Sequence, residues 1–132
     1  MNIKPDIRII VVDDMVTMRR ILINMLTELG LENVTQASDG EIAWKLIQQE
    51  SQYKKPIEFI ISDWNMPNMT GIELFKKVRT HDTIKDVPFL MVTAENENEK
   101  ILQAVEAGVT NLIVKPFTID ILKTKLTQIF GK

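Results

Sequence analysis

The sequence has no cysteine and one histidine, His81. Disulfides and thiolate metal sites are excluded, and a single imidazole offers no zinc or copper centre. Lack of cysteine fits a reducing compartment, so a cytoplasmic location is expected. Long hydrophobic runs are also missing. The apolar stretches span a few residues each, far short of the ~20 that cross a bilayer, so no membrane insertion is expected. The opening residues, MNIKPDIR, carry neither the apolar segment nor the cleavage site of a signal peptide. Positive charge is not in excess either: 16 Lys and Arg against 18 Asp and Glu give a formal net charge of −2. A nucleic-acid binder would usually be basic, so no nucleic-acid partner is expected. The lysines near the C-terminus (Lys115, Lys123, Lys125, Lys132) read as a solvated helix face in preference to a docking patch.

What remains is an ordinary globular composition, 45% hydrophobic and 26% charged over 132 residues. That length suits one domain, 1–132, with no linker or internal repeat. Apolar runs at 7–12, 33–37, 57–62, 88–92 and 112–114 read as strands. Helical spacing lies between them. Met18, Ile21, Leu22, Met25, Leu26 and Leu29 recur on one face, with Gly30 as the stop. Ser38 with Glu41, and Thr70 with Glu73, carry the capping-box pattern. The second helix should bury Ile42, Leu46 and Ile47, and the third Leu74, Phe75 and Val78. A fourth, over 98–108, should bury Ile101, Leu102 and Val105; a fifth Leu122, Leu126, Ile129 and Phe130. Residues 48–56 read as a polar surface loop. Solid apolar strands alternating with amphipathic helices indicate a parallel sheet covered on both faces. The expected fold class is α/β: a three-layer, doubly wound, flavodoxin-like fold with five helices and five strands in the order 2-1-3-4-5.

In that fold, ligands bind beyond the carboxyl ends of the strands. Asp13 and Asp14 follow the first apolar run, Asp63 the third, Thr93 the fourth, and Lys115 the fifth. Three carboxylates gathered at one edge repel unless a cation or proton relieves them. The donor set is all oxygen, which suits Mg²⁺, and a backbone carbonyl just after Asp63 supplies another oxygen. A carboxylate beside such an ion can accept a phosphoryl group as an aspartyl-phosphate. Lys115 and the Thr93 hydroxyl would then answer the charge on the phosphoryl oxygens. Taken singly, Thr93 reads as a turn hydroxyl, Lys115 as an ion-pair partner and the acid pair as solvated surface. It is their joint placement at strand ends that makes a site.

At IIVVDD, ISDWNMPNMTG, MVTAE and VKPF the chain resembles the receiver domains of two-component response regulators, in particular single-domain chemotaxis regulators. The resemblance runs from Ile7 to Phe130. It implies that Asp63 is the phosphoacceptor, that Asp14, Asp63 and the Asn65 carbonyl ligate Mg²⁺, and that Asp13 acts through the ion's water shell. Thr93 and Lys115 would contact the phosphoryl group, and the Lys115–Pro116 bond would be cis. Asn65 and Glu95, two positions beyond Asp63 and Thr93, would border the path of an attacking water and shorten the phosphorylated lifetime. The implied partners are a sensor histidine kinase, a flagellar motor switch protein and a phosphatase; a monomer is the default expectation for the chain itself. Such a protein is a signalling phosphoacceptor that catalyses only its own phosphorylation and dephosphorylation. Two departures bear on output: Leu112 stands where relatives commonly carry a switching aromatic, and Glu97 and Asn98 where they often carry lysines. They leave open a phosphate sink or shuttle with no motor target.

Three rivals are weaker. An FMN module wants a phosphate-cradling loop after the first strand, and two acids there would repel one. A phosphohydrolase needs a substrate pocket and usually a cap insertion. A receiver that is never phosphorylated has no use for the full acid, Thr and Lys set. Trp64 reads as cover for apolar surface or as a wall of the site, Trp44 as helix packing, and Met18, Met25 and Met91 as core filler. His81 reads as a solvated surface residue.

Overall fold

A computed structural model describes residues 3–52, 56–94, 98–109 and 111–131. Five strands, β1 (Ile9–Val12), β2 (Val34–Ala37), β3 (Phe59–Asp63), β4 (Phe89–Ala94) and β5 (Leu112–Lys115), form one parallel sheet. Their order is β2-β1-β3-β4-β5, the order expected for the flavodoxin-like fold.

Side chains alternate across a strand, so a solid apolar run feeds two cores at once. Ile10, Val12, Ile60, Phe89 and Met91 point to one face and pack with α2 (Gly40–Gln52), α3 (Gly71–Arg79) and α4 (Asn98–Glu106). Ile9, Val11, Phe59, Ile61, Leu90, Val92 and Ile113 point to the other, against α1 (Val16–Glu28) and α5 (Ile119–Phe130). Each fully buried aliphatic side chain contributes about 1.5–3 kcal/mol relative to exposure.

The helix ends follow from local chemistry. Gly30, at φ +86°, closes α1. Its N–H donates to the Thr27 carbonyl and that of Leu31 to Leu26, the 5→2 and 6→1 pair of a Schellman end. The Thr70–Glu73 capping box at α3 is present in both directions, at 3.2 and 3.1 Å. At α2 the cap is Asp39, not Ser38. The Asp39 carboxylate accepts the Ile42 N–H at 2.8 Å, placing the first helical residue at Gly40. This N–H, above all, holds the Asp39 carboxyl below the usual carboxylate range.

Several expected inward residues face solvent. Leu102 and Val105 are 64% and 59% exposed, whereas Ala104 is fully buried. The small Ala104 lets α4 lie close to the core, and the two bulky residues are rotated away. In α2 the buried stripe is Ala43 and Ile47; Ile42, one residue out of phase, is 43% exposed, and Ile21 of α1 is likewise exposed. The expected loop at 48–56 starts late, because α2 continues to Gln52. Trp64 is core, only 5% exposed. His81 is not fully solvated: its ring meets Trp44 edge-on at 5.8 Å, and its Nδ1 accepts the Thr83 N–H at 3.3 Å.

Candidate functional site

Parallel register brings the strand ends together. Val12 lies opposite Ser62 and Ala37, so the next residues, Asp13 and Asp63, emerge side by side. Ala94 pairs with Lys115 on the neighbouring strand, just beyond Thr93. One carboxylate oxygen from each of Asp13, Asp14 and Asp63 falls within 4.8 Å of the others. Asp13 and Asp63 are buried and Asp14 is exposed, which opens the cluster to solvent on one side.

Lys115 is the counter-charge. Its Nζ lies 3.1 Å from Asp63 Oδ1 and 3.8 Å from Asp13 Oδ2. Lys115 is the last residue of β5, and the Lys115–Pro116 peptide that follows is cis, as the resemblance implies. Lys115 thus belongs to the acid cluster and not to the basic helix face of the sequence reading. Thr93 is fully buried at the end of β4. Asn65 is exposed on the loop that leaves β3. Leu112 is half-buried against the core on the α2, α3 and α4 side of the sheet. Glu95 and Glu97 lie outside the described residues.

Burial, chiefly, and then the Asp13 charge raise the Asp63 carboxyl to about 6, with Lys115 pulling the other way. Burial also raises Asp13, against the Met15 N–H that binds its Oδ1 at 2.9 Å. Asp13 Oδ2 is buried and, among the described residues, accepts no hydrogen bond, the Lys115 ammonium standing off at 3.8 Å. A buried carboxylate oxygen with no hydrogen bond costs free energy unless a cation comes into direct contact with it. The oxygen donors, the residual repulsion and this unsatisfied oxygen all fit a hard divalent cation such as Mg²⁺.

Several supporting residues escaped the sequence reading. Arg19 of α1 donates to the Asp13 carbonyl at 2.6 Å and to Gln36 Oε1 at 3.0 Å, pinning the acid turn. Asn68 Nδ2 donates to Asp39 Oδ2 at 3.0 Å, tying the loop after Asp63 to the start of α2. The sequence signal was thin: a polar residue after Pro67 and an acid before Gly40.

The response regulator receiver domain model matches residues 9–127. The chemotaxis protein CheY of Pseudomonas aeruginosa is 44% identical over 95% of this chain and 97% of its own. The CheY homolog of Campylobacter jejuni is 46% identical over 94% of this chain and 92% of its own. Among solved structures, the Vibrio cholerae chemotaxis protein CheY4 superposes with a TM-score of 0.80 at 35% identity, covering 94% of this chain and 98% of its own.

Proposed function

Because the chain belongs to the response regulator receiver domain family, we propose that it takes a phosphoryl group from a histidine kinase onto Asp63 and, so modified, changes its affinity for a second protein. The observation that carries this reading is the Lys115 ammonium set 3.1 Å from Asp63, within a cluster of three carboxylates.

In the transfer, an Asp63 carboxylate oxygen attacks phosphorus of the donor's phosphohistidine. The P–O bond forms as the P–N bond breaks, and the departing imidazole nitrogen keeps the electron pair and takes a proton from solvent. Lys115 follows the phosphoryl oxygens, and the buried Thr93 hydroxyl donates to one of them. Asp13, Asp14, Asp63 and the Asn65 carbonyl would hold Mg²⁺, which supplies positive charge against the carboxylates and the phosphoryl oxygens. A carboxyl near 6 is mostly ionised at neutral pH, so Asp63 needs no general base.

Phosphorylation adds charge and acceptor oxygens, which favour the conformation in which Thr93 and Lys115 turn toward them. A target acts through its preference for that state. The relatives' names point to chemotaxis, and the target in this reading is a flagellar motor switch protein, the partner the family resemblance implies. A sink or shuttle is the second reading, favoured by Leu112, which is anchored against the core and has no ring to swing outward.

Labelling with a small acyl phosphate and Mg²⁺ tests the chemistry. Wild type takes up close to one phosphoryl group and Asp63→Asn takes up none. Metal-independent labelling that persists in Asp63→Asn overturns the assignment. Phosphorylation-dependent binding to a motor switch protein separates a motor regulator from a sink.

A further inference from the structure

The loop between β3 and α3, residues 64–70, carries Asn65 and is closed at its base by the Gly71 N–H donating to the Trp64 carbonyl at 2.9 Å. Met66 and Met69 bury their side chains in the core, and the Met69 N–H donates to the Pro67 carbonyl at 2.7 Å. Between the two methionines the loop turns on Asn68, which sits at φ +69°. That left-handed conformation is one asparagine and aspartate tolerate better than most residues. Its amide spans to Asp39 Oδ2 at 3.0 Å, while Asp39 Oδ1 caps α2. The approach of the two segments is close: a methyl on Gly40 would stand 2.5 Å from the Met69 carbonyl oxygen.

We propose that Asp39 and Asn68 are positioning residues: one carboxylate both starts α2 and moors the loop that presents Asn65 beside Asp63. The inference deepens the phosphoacceptor reading and rests on it for what the loop serves. The bond runs to a charged and buried acceptor, the kind that contributes more than a neutral pair. Freed from it, the loop keeps its two methionine anchors but loses the fixed turn between them.

The geometry allows an exchange of partners. In Asn68→Asp two carboxylates face each other and the mooring fails. Adding Asp39→Asn restores it, because the new amide caps Ile42 through its oxygen and donates through its nitrogen to the carboxylate introduced at position 68. The double variant has the wild-type net charge, and residue 68 stays of a type that accepts positive φ. Asp39→Asn alone loses less than Asn68→Asp, since the Asn68 amide can turn over.

Hydrogen exchange at the Met69 and Gly71 amides of the metal-free protein reads the mooring directly. Protection falls about tenfold in Asn68→Asp and returns in the double variant. Magnesium titration by tryptophan emission reads its consequence: Asn68→Gly, which leaves charge unchanged and relieves the strained φ, weakens binding about three- to fivefold. Unchanged protection overturns the proposal, as does lost protection with unchanged magnesium affinity. A wild type indifferent to Mg²⁺ would instead sink the metal reading, and the exchange arm would still decide whether the tether holds.

Discussion

Gly71 lies directly against the backbone carbonyl of Asp63. A methyl built on it would overlap that oxygen, would come within 2.8 Å of Met91 Sδ, and would crowd Trp64 Cα at 3.1 Å. A flexible sulfur can give way, but strand backbone cannot. The first residue of α3 is therefore held to glycine by the phosphoacceptor strand itself. Gly71→Ala should lower stability by about 1–3 kcal/mol, the usual cost of overpacking a tight site. Urea unfolding of wild type and variant, with and without Mg²⁺, measures it. An equal or higher midpoint would show that the contact has slack.

The acid cluster predicts how metal-free stability depends on pH. Asp63 titrates near 6 when folded and near 3.8 when unfolded, so between those values the folded state binds more protons. Stability therefore falls as pH rises through that window and is lowest above it. The Asp63 contribution amounts to about 3 kcal/mol at most, and the raised Asp13 carboxyl adds in the same direction. Denaturant midpoints of metal-free protein should drop between pH 4.5 and 7. Asp63→Asn should flatten most of the drop and be the more stable form at pH 7. Saturating Mg²⁺ should reduce the slope in wild type. A midpoint that rises over this range would contradict the buried, mutually repelling carboxylates.

These properties were accessible from sequence because Asp13, Asp63, Thr93 and Lys115 each end an apolar run, and a parallel sheet delivers such ends to one edge. Hydrophobic alternation carries little about which side of a helix wins when small residues compete. Periodicity weights Leu102 and Val105 by bulk, yet Ala104 is the residue that touches the core. The Asp39–Asn68 bond joins positions 29 residues apart in loops with no periodicity at all. The glycine contacts at 40 and 71 are equally hidden, since each is dictated by another segment's backbone.

Trp64 offers an optical reporter. It is buried next to Asp63, and its backbone N–H donates to the Val92 carbonyl at 3.0 Å. Trp44 lies on another surface, beside His81 and with Lys77 Nζ 5.9 Å from its ring. In Trp44→Phe protein, Mg²⁺ should still change the emission, and Asp14→Ala should remove most of that response. An unresponsive Trp44→Phe protein would mean that the ion is not bound near Asp63.

Removing Lys115 should have opposite effects on magnesium binding and on phosphoryl transfer. Its Nζ shares the cluster with Asp63 and Asp13, so it competes with any cation for the same oxygens. At 3.1 Å from Asp63 it is also placed to follow the incoming phosphoryl oxygens. Lys115→Met removes a positive charge a few ångströms from the carboxylates, an interaction of the order of a kcal/mol or more in this partly buried setting. Magnesium affinity should therefore rise severalfold while the rate of labelling by acyl phosphate falls by about 10²–10³, the scale of losing one preorganised charge-stabilising donor. Lys115→Arg keeps the charge, so it should leave magnesium affinity near wild type, and its labelling rate should fall between the other two. Parallel changes, with binding and labelling weakened together, would mean that Lys115 serves the fold of the site and not the transfer.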